Sequence, residues 1–311
     1  MDALRAHRRG GPEVLVVERA PMPVPGPGEV LIEVHAAGIT FDELTWDETW
    51  LRDGVDRTPT IPSHEVSGVV TAIGADVTGV TVGDEMYGLI PFDRDGAAAD
   101  YVAVPADSLA PRPTTCSHVE SAALPLAGLT AWQALVEHAA VQPGERVLVH
   151  GGTGGVGSLV VQLAAKMGAD VTTTVRSDAA ELMVALGAST VIDTRTDRFD
   201  RPGAVYDAVI DTVGGETLER SFGVLRRGGR LITLSAPPPP GRADVAGVDA
   251  IFFIVTPDRA QLTELAALVD TAGMQIAIAD TFLLQDGRAA FESGSGPHRR
   301  PGKTVLIVRD G

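Results

Sequence analysis

A chain of 311 residues that is 44% apolar and 21% charged has material for about two cores, at a prior of roughly 150 residues per domain, and is not a disordered one. Its 41 acids against 25 bases leave a net charge of −16, which repels nucleic acid and anionic membrane surfaces and excludes both as partners. A single cysteine, Cys116, excludes an internal disulfide or a multi-cysteine metal site and reads as a small buried apolar residue.

The first residues, MDALRAHRRGG, have no apolar segment behind them, and no run approaches the ~18–20 apolar residues that span a bilayer. A soluble cytoplasmic protein is expected. Residues 1 to about 115 alternate short β-type runs (EVLIEVHAAG, SGVVTAIG, GDEMYGL, ADYVAVP) with glycine and proline turns, which predicts an all-β, partly barrel-like lobe. Val30, Ile32 and Val34 alternate with Leu31, Glu33 and His35, as in a strand with one buried face. Two irregular segments, about 40–62 and 91–98, interrupt the lobe as candidate binding loops or plain insertions.

From about 118 to 254 the period changes. Helix-like segments (HVESAALPLAGLTAWQALVEHA, SLVVQLAAKMG, AAELMVALG, GETLERSFGVLR) separate β-branched runs (RVLVH, DVTTTV, STVID, YDAVIDTV, GRLITLS), which predicts βαβ units and a parallel sheet. Between RVLVH and the first of those later helices lies GGTGGVGS, where Gly152, Gly154 and Gly157 satisfy G-x-G-x-x-G in register. A strand, a glycine turn and a helix N-terminus together seat a dinucleotide pyrophosphate on backbone N–H groups. In NAD enzymes an acid about 20 residues further on binds the ribose hydroxyls. Here that zone reads Thr172-Thr173-Thr174-Val175-Arg176-Ser177, with no acid. Arg176 suits a 2′-phosphate, Ser177 adds a hydroxyl, and NADPH is the expected cofactor. Asp178 reads as the N-cap of AAELMVALG. After Phe253 come a helix (PDRAQLTELAALVDTAG), a strand (MQIAIADTF), a short helix (QDGRAAFES) and a last strand, KTVLIV. This tail is too small to stand alone and is expected to fold back on the N-terminal lobe.

In order and spacing, the chain resembles the medium-chain dehydrogenase/reductase superfamily, in its zinc-free quinone oxidoreductase branch. The landmarks are GGPEVL (Gly10–Leu15), PGPGEVLIEVHAAGI (Pro25–Ile39), IPSHEVSGVV, GVTVGDEMYGL, PLAGLTAWQAL, GGTGGVGS, DTVGG, RGGRLITLS and GKTVLIV. The resemblance implies an α/β protein: a GroES-like β lobe from both chain ends (1–117 and 255–311) and an inserted Rossmann domain (118–254) with a doubly wound parallel sheet. It also implies that Thr130 approaches the nicotinamide and that Thr153, Gly154, Gly155 and Val156 line the pyrophosphate. Ser235 and Ala236 would edge the cofactor channel, the backbone of Phe253 and Val255 would bind the carboxamide, and Lys303 is either a phosphate contact or a surface lysine. A homodimer is implied through the sheet edge near Asp249 to Ile254.

Zinc-dependent members carry a cysteine where this chain has Thr40, although His64 and Glu65 preserve the His-Glu pair of their catalytic site. A catalytic zinc needs three protein ligands. Asp42, His64 and Glu65 are the donors on offer, and without the thiolate no metal is expected. His64 and Glu65 then read as structural hydrogen-bonding residues, with substrate contact or proton relay as the other role for His64. Reduction of a quinone or α,β-unsaturated carbonyl leaves negative charge on the substrate oxygen and requires a donor; Thr40, Tyr87 and backbone N–H groups are candidates. Phe41, Trp46 and Trp50 either wall a flat apolar pocket or pack their loop. The expected function is a zinc-independent NADPH:quinone or enone reductase acting on a small molecule. Open alternatives are an enoyl-thioester reductase, an alcohol dehydrogenase, or an NADPH-binding protein without turnover.

Overall fold

The computed structural model describes residues 1–176, 178–295 and 300–309. The chain divides into two units: Met1–Leu129 with the stretch from Thr256 onward, and Thr130–Val255. Nine strands precede the boundary: β1 (Asp2–Ala6), β2 (Leu15–Arg19), β3 (Glu29–Gly38), β4 (Leu51–Arg52), β5 (Val55–Asp56), β6 (Glu65–Ile73), β7 (Glu85–Leu89), β8 (Tyr101–Pro105) and β9 (Leu109–Pro111). The second unit holds β10 (Arg146–His150), β11 (Asp170–Val175), β12 (Thr190–Asp193), β13 (Tyr206–Asp211), β14 (Leu225–Thr233) and β15 (Asp249–Phe252). The chain then returns to the first unit with β16 (Ile278–Leu283) and β17 (Lys303–Ile307).

The main sheet of the first unit runs β16-β17-β3-β6-β7-β9, with β8 also paired to β3. Along β3, buried and partly exposed residues alternate until Ala36, as the sequence pattern predicts. The tail does fold back. Val305, Leu306 and Ile307 pair antiparallel with Gly38, Ala37 and Ala36. Leu284, Phe291 and Leu306 join Ile32, Val34, Val70, Met86 and Val104 in one core. Each such side chain stabilises the fold by about 1.5–3 kcal/mol, so the two chain ends make one unit.

The second unit is a parallel sheet ordered β12-β11-β10-β13-β14-β15. Connections outward in both directions from β10 make this a doubly wound sheet, with a switch point beside β10 at the carboxyl ends of the strands. Leu148, Val209 and Leu231 from three neighbouring strands pack with Phe199, Tyr206, Leu218 and Phe222 on one face.

The long helical segment expected at 118–139 is broken. Ser117 caps a helix His118–Ala122 in a reciprocal capping box with Glu120. A second helix starts at Pro125, which has no N–H to give and is tolerated only in a first turn; it passes into a π-helical turn at Gln133–His138. Residues 118–129, expected with the second unit, group with the first. The reason is packing: Ala122 and Ala123 sit against Ala36 and Val305.

Candidate functional site

In the first unit, the end of β3 and the start of β17 bring three side chains together. Ile39 N–H donates to Thr304 O (3.0 Å), which sets Thr40 beside Lys303. The Lys303 ammonium donates to Thr40 Oγ1 at 3.3 Å and forms an ion pair with Glu65. Glu65 opens β6 in register with Gly38, and its Oε1 also accepts the Leu126 N–H at 3.0 Å. The Lys303 and Glu65 side chains are 11% and 1% exposed, so each charge depends on the other for compensation. Lys303 is therefore not a surface lysine.

One 3₁₀ turn past Thr40, Glu43 is buried and its Oε1 accepts the Ser63 N–H at 3.0 Å. Burial pushes its carboxyl up to about 8, against the pull of the Ser63 N–H and Lys303. Ser63 itself sits at φ 71°, in the left-handed region that only glycine enters freely. Next to it, His64 is buried, with neither ring nitrogen hydrogen-bonded among the described residues. Burial, with Arg57 nearby, lowers its pKa to about 3, so the ring is neutral at physiological pH. The His64 ring meets the Phe92 ring edge-on at 5.3 Å, and Phe92 meets Trp46 at 5.0 Å. Of the aromatic residues read as pocket walls, Trp46 thus joins His64 through Phe92, while Phe41 packs partly buried on the core.

Two expected roles are corrected. Tyr87 is fully buried and its hydroxyl donates to Leu262 O at 2.6 Å. Burial raises its pKa further, so the proton is committed inside the core and Tyr87 offers nothing to a substrate oxygen. Trp50 is 3% exposed with its Nε1 donating to Leu44 O at 3.0 Å, a packing residue of the loop rather than a pocket wall. Asp42 is exposed, and no group of three or more His, Cys, Asp or Glu able to hold a metal occurs among the described residues. With a lysine ammonium bound to Glu65 and a hydroxyl at position 40, the donor set does not fit zinc.

In the second unit, β10 runs into the glycine turn and the helix Gly155–Lys166 follows. The left-handed residue of the turn is Gly151 (φ 76°), one before the first glycine of the motif. Gly152 is needed for a different reason: a Cβ there would lie 2.2 Å from Thr173 Oγ1 on β11. At Gly157 a Cβ would meet Gly151 O at 2.2 Å, so only glycine lets helix and turn close. Gly154 is the N-cap, and the N–H groups of Gly155, Val156 and Gly157 open the helix, where no intrahelical acceptor exists for them. Thr153 lies within the turn.

His150, missed in the sequence, anchors this turn. It is buried between Thr174 Oγ1 (3.1 Å from Nδ1) and Ser221 Oγ (3.0 Å from Nε2), and burial lowers its pKa to about 3. Its carbonyl accepts from Thr212 Oγ1 at 2.8 Å, tying the turn to the DTVGG segment. Ser235 packs on Gly214 of that segment, and Ala236 O accepts from Thr233 Oγ1 at 3.0 Å. Thr130 and Val255 are buried, and the Phe253 ring lies 4.3 Å from that of His138. Arg176 is exposed just beyond β11; Ser177 lies outside the described residues.

Comparison with known proteins agrees with this arrangement. Residues 26–114 match the alcohol dehydrogenase GroES-like domain and residues 186–306 the zinc-binding dehydrogenase family. A probable zinc-binding oxidoreductase of Arthroderma benhamiae is 30% identical across 94% of this chain and 93% of its own length. A 2-methylene-furan-3-one reductase of Solanum lycopersicum is 36% identical across 68% of this chain and 56% of its own. The solved quinone oxidoreductase of Coxiella burnetii superposes with a TM-score of 0.90 at 31% identity, covering 99% of both chains. The chain belongs to the medium-chain dehydrogenase/reductase superfamily and is an NAD(P)-dependent oxidoreductase.

Proposed function

We propose that the protein is an NADPH-dependent reductase of quinones or α,β-unsaturated carbonyls that works without zinc. The observation that carries the zinc-free part is the Lys303 ammonium held by Glu65 and Thr40, the positions where metal-dependent relatives gather ligands. Arg176, exposed just past β11, supports the choice of NADPH. The likeness to the Coxiella burnetii quinone oxidoreductase and the tomato 2-methylene-furan-3-one reductase supports the substrate class.

The bound nicotinamide supplies the hydride. What the chain contributes is binding, orientation and a proton. The N–H groups of the glycine turn and the helix dipole receive the pyrophosphate. Thr40 Oγ1 accepts from Lys303, which leaves its own O–H to donate to an oxygen that gains negative charge, and the ammonium behind it strengthens that donation. A homodimer through β15, the edge strand of the second sheet, is part of the same reading. The deciding experiment is NADPH consumption against quinones, 2-alkenals, enones and enoyl thioesters, with and without chelator. Turnover of quinones or enones that chelator leaves unchanged is expected. Loss with chelator, turnover of enoyl thioesters alone, or tight NADPH binding with no turnover would each overturn the reading.

A further inference from the structure

We infer that Arg195 determines the cofactor preference, by cancelling two carboxylates at the place where a 2′-phosphate would sit. The inference rests on the NADPH reading above and deepens it. β11 and β12 are parallel, with Val175 opposite Asp193, and Thr194 N–H donates to Val175 O at 2.9 Å. The residues that follow the two strands, Arg176 on one and Arg195 on the other, therefore leave adjacent strand ends on the carboxyl side of the sheet. This is the edge at which the residue after the second strand of such a unit meets the ribose.

Two acids occupy the same edge. Arg195 Nε lies 3.0 Å from both oxygens of Asp193, its Nη2 lies 2.6 Å from Asp193 Oδ2, and its backbone N–H donates to Asp193 Oδ1 at 3.0 Å. The same Nη2 donates to Asp178 Oδ1 at 2.5 Å. The expected N-cap role of Asp178 is thereby overturned: the cap position is Ala179, and the Asp178 carboxylate turns to the arginine. The two contacts differ in kind. Asp193 is 26% exposed and grips the guanidinium along one edge, whereas Asp178 is 93% exposed and holds it by one oxygen. Nη1 takes no partner among the described residues.

The charge balance at this edge turns on Arg195. With it, Arg176 and Arg195 offset Asp178 and Asp193. Without it, two carboxylates face one guanidinium, and that environment repels a phosphate while suiting ribose hydroxyls. Arg195 stays anchored to Asp193 and exchanges the exposed Asp178 oxygen for a 2′-phosphate oxygen, forming a charge-assisted pair with its free edge.

The test is dissociation constants for NADPH and NADH, by quenching of protein fluorescence, in the wild type and in R176A, R195A and D178N. The wild type is expected to prefer NADPH. R195A is expected to weaken NADPH binding by about tenfold or more while changing NADH binding by less than about twofold. D178N, at an exposed side chain that threatens no fold, is expected to tighten NADPH binding alone. If NADPH preference survives R195A, or if R195A weakens both cofactors equally, Arg195 is only a tie between two turns and the assignment falls. A wild type that prefers NADH overturns the NADPH reading itself, and this assignment with it.

Discussion

Glu43→Gln isolates the cost of the buried acid beside the candidate site. In the folded chain the Glu43 carboxyl titrates at about 8, against 4.5 for the free side chain, because burial disfavours the charged form. A group whose folded pKa is raised binds more protons in the folded state across that window. Its contribution to stability is complete below pH 4.5 and is lost as pH rises toward 8. At pH 7 the unfolded chain gains from ionising Glu43 over 2.5 pH units, which at 1.36 kcal/mol per unit is about 3 kcal/mol. Glutamine imitates the protonated acid, keeps an oxygen for the Ser63 N–H, and has nothing to ionise when unfolded. E43Q should therefore match the wild type at pH 4 and exceed it by about 3 kcal/mol at pH 7.

The comparison must be made as a difference between variants, because His64 acts in the opposite direction. Its folded pKa is lowered to about 3, so its contribution is present above pH 6.5 and is lost as pH falls through the window from 6.5 to 3. Subtracting E43Q from wild type at each pH removes that slope. Trp46 and Trp50 belong to the first unit and Trp132 to the second. Denaturant unfolding followed by tryptophan fluorescence in a W132F background therefore reports the unit that holds Glu43. A difference that stays flat from pH 4 to pH 8, or an E43Q protein less stable at pH 7, would refute the reasoning. Either result would mean that the carboxyl is ionised in the fold and held so by Lys303.

Two further outcomes test the turn and the ion pair. Gly157→Ala drives a methyl to 2.2 Å from a backbone carbonyl; it should cost about 1–3 kcal/mol of stability and abolish measurable NADPH binding, checked by unfolding and fluorescence titration. Lys303→Met leaves Glu65 buried without its cation and should destabilise by about 3–5 kcal/mol in denaturant unfolding, most of which K303M/E65Q recovers.

The glycine turn was legible because its constraints are local: a β run, the spacing of three glycines, and an apolar helix within one short stretch. Even there the spacing does not show that the left-handed position is Gly151, one before the motif, or that Gly152 is fixed by Thr173 on the next strand. Tyr87 was misread because its hydrogen-bond partner is a backbone carbonyl far along the chain, at Leu262, and a carbonyl leaves no mark in a sequence. Asp178 obeyed a local capping rule on paper and lost to a charge just past the neighbouring strand, Arg195. Glu43 gave no signal at all. An acid in FDELTW looks like any loop acid until Ser63 and Lys303 are placed around it.

The vacated cysteine position was read in the sequence as the loss of a ligand, whereas the structure adds a cation as well. Glu65 is buried and needs a positive partner, and Lys303 supplies it from β17 while also reaching Thr40. The Lys303–Glu65 pair is neutral overall, so a divalent ion gains the Glu65 carboxylate as a ligand only by displacing the ammonium and leaving Lys303 buried without its partner. Restoring the thiol alone should therefore fail to build a metal site. Thr40→Cys, purified in the presence of zinc and then gel-filtered, should retain far less than one zinc per chain by atomic absorption. Stoichiometric zinc in T40C would mean that Lys303 swings away at no great cost, and that its pairing with Glu65 does not keep metal out.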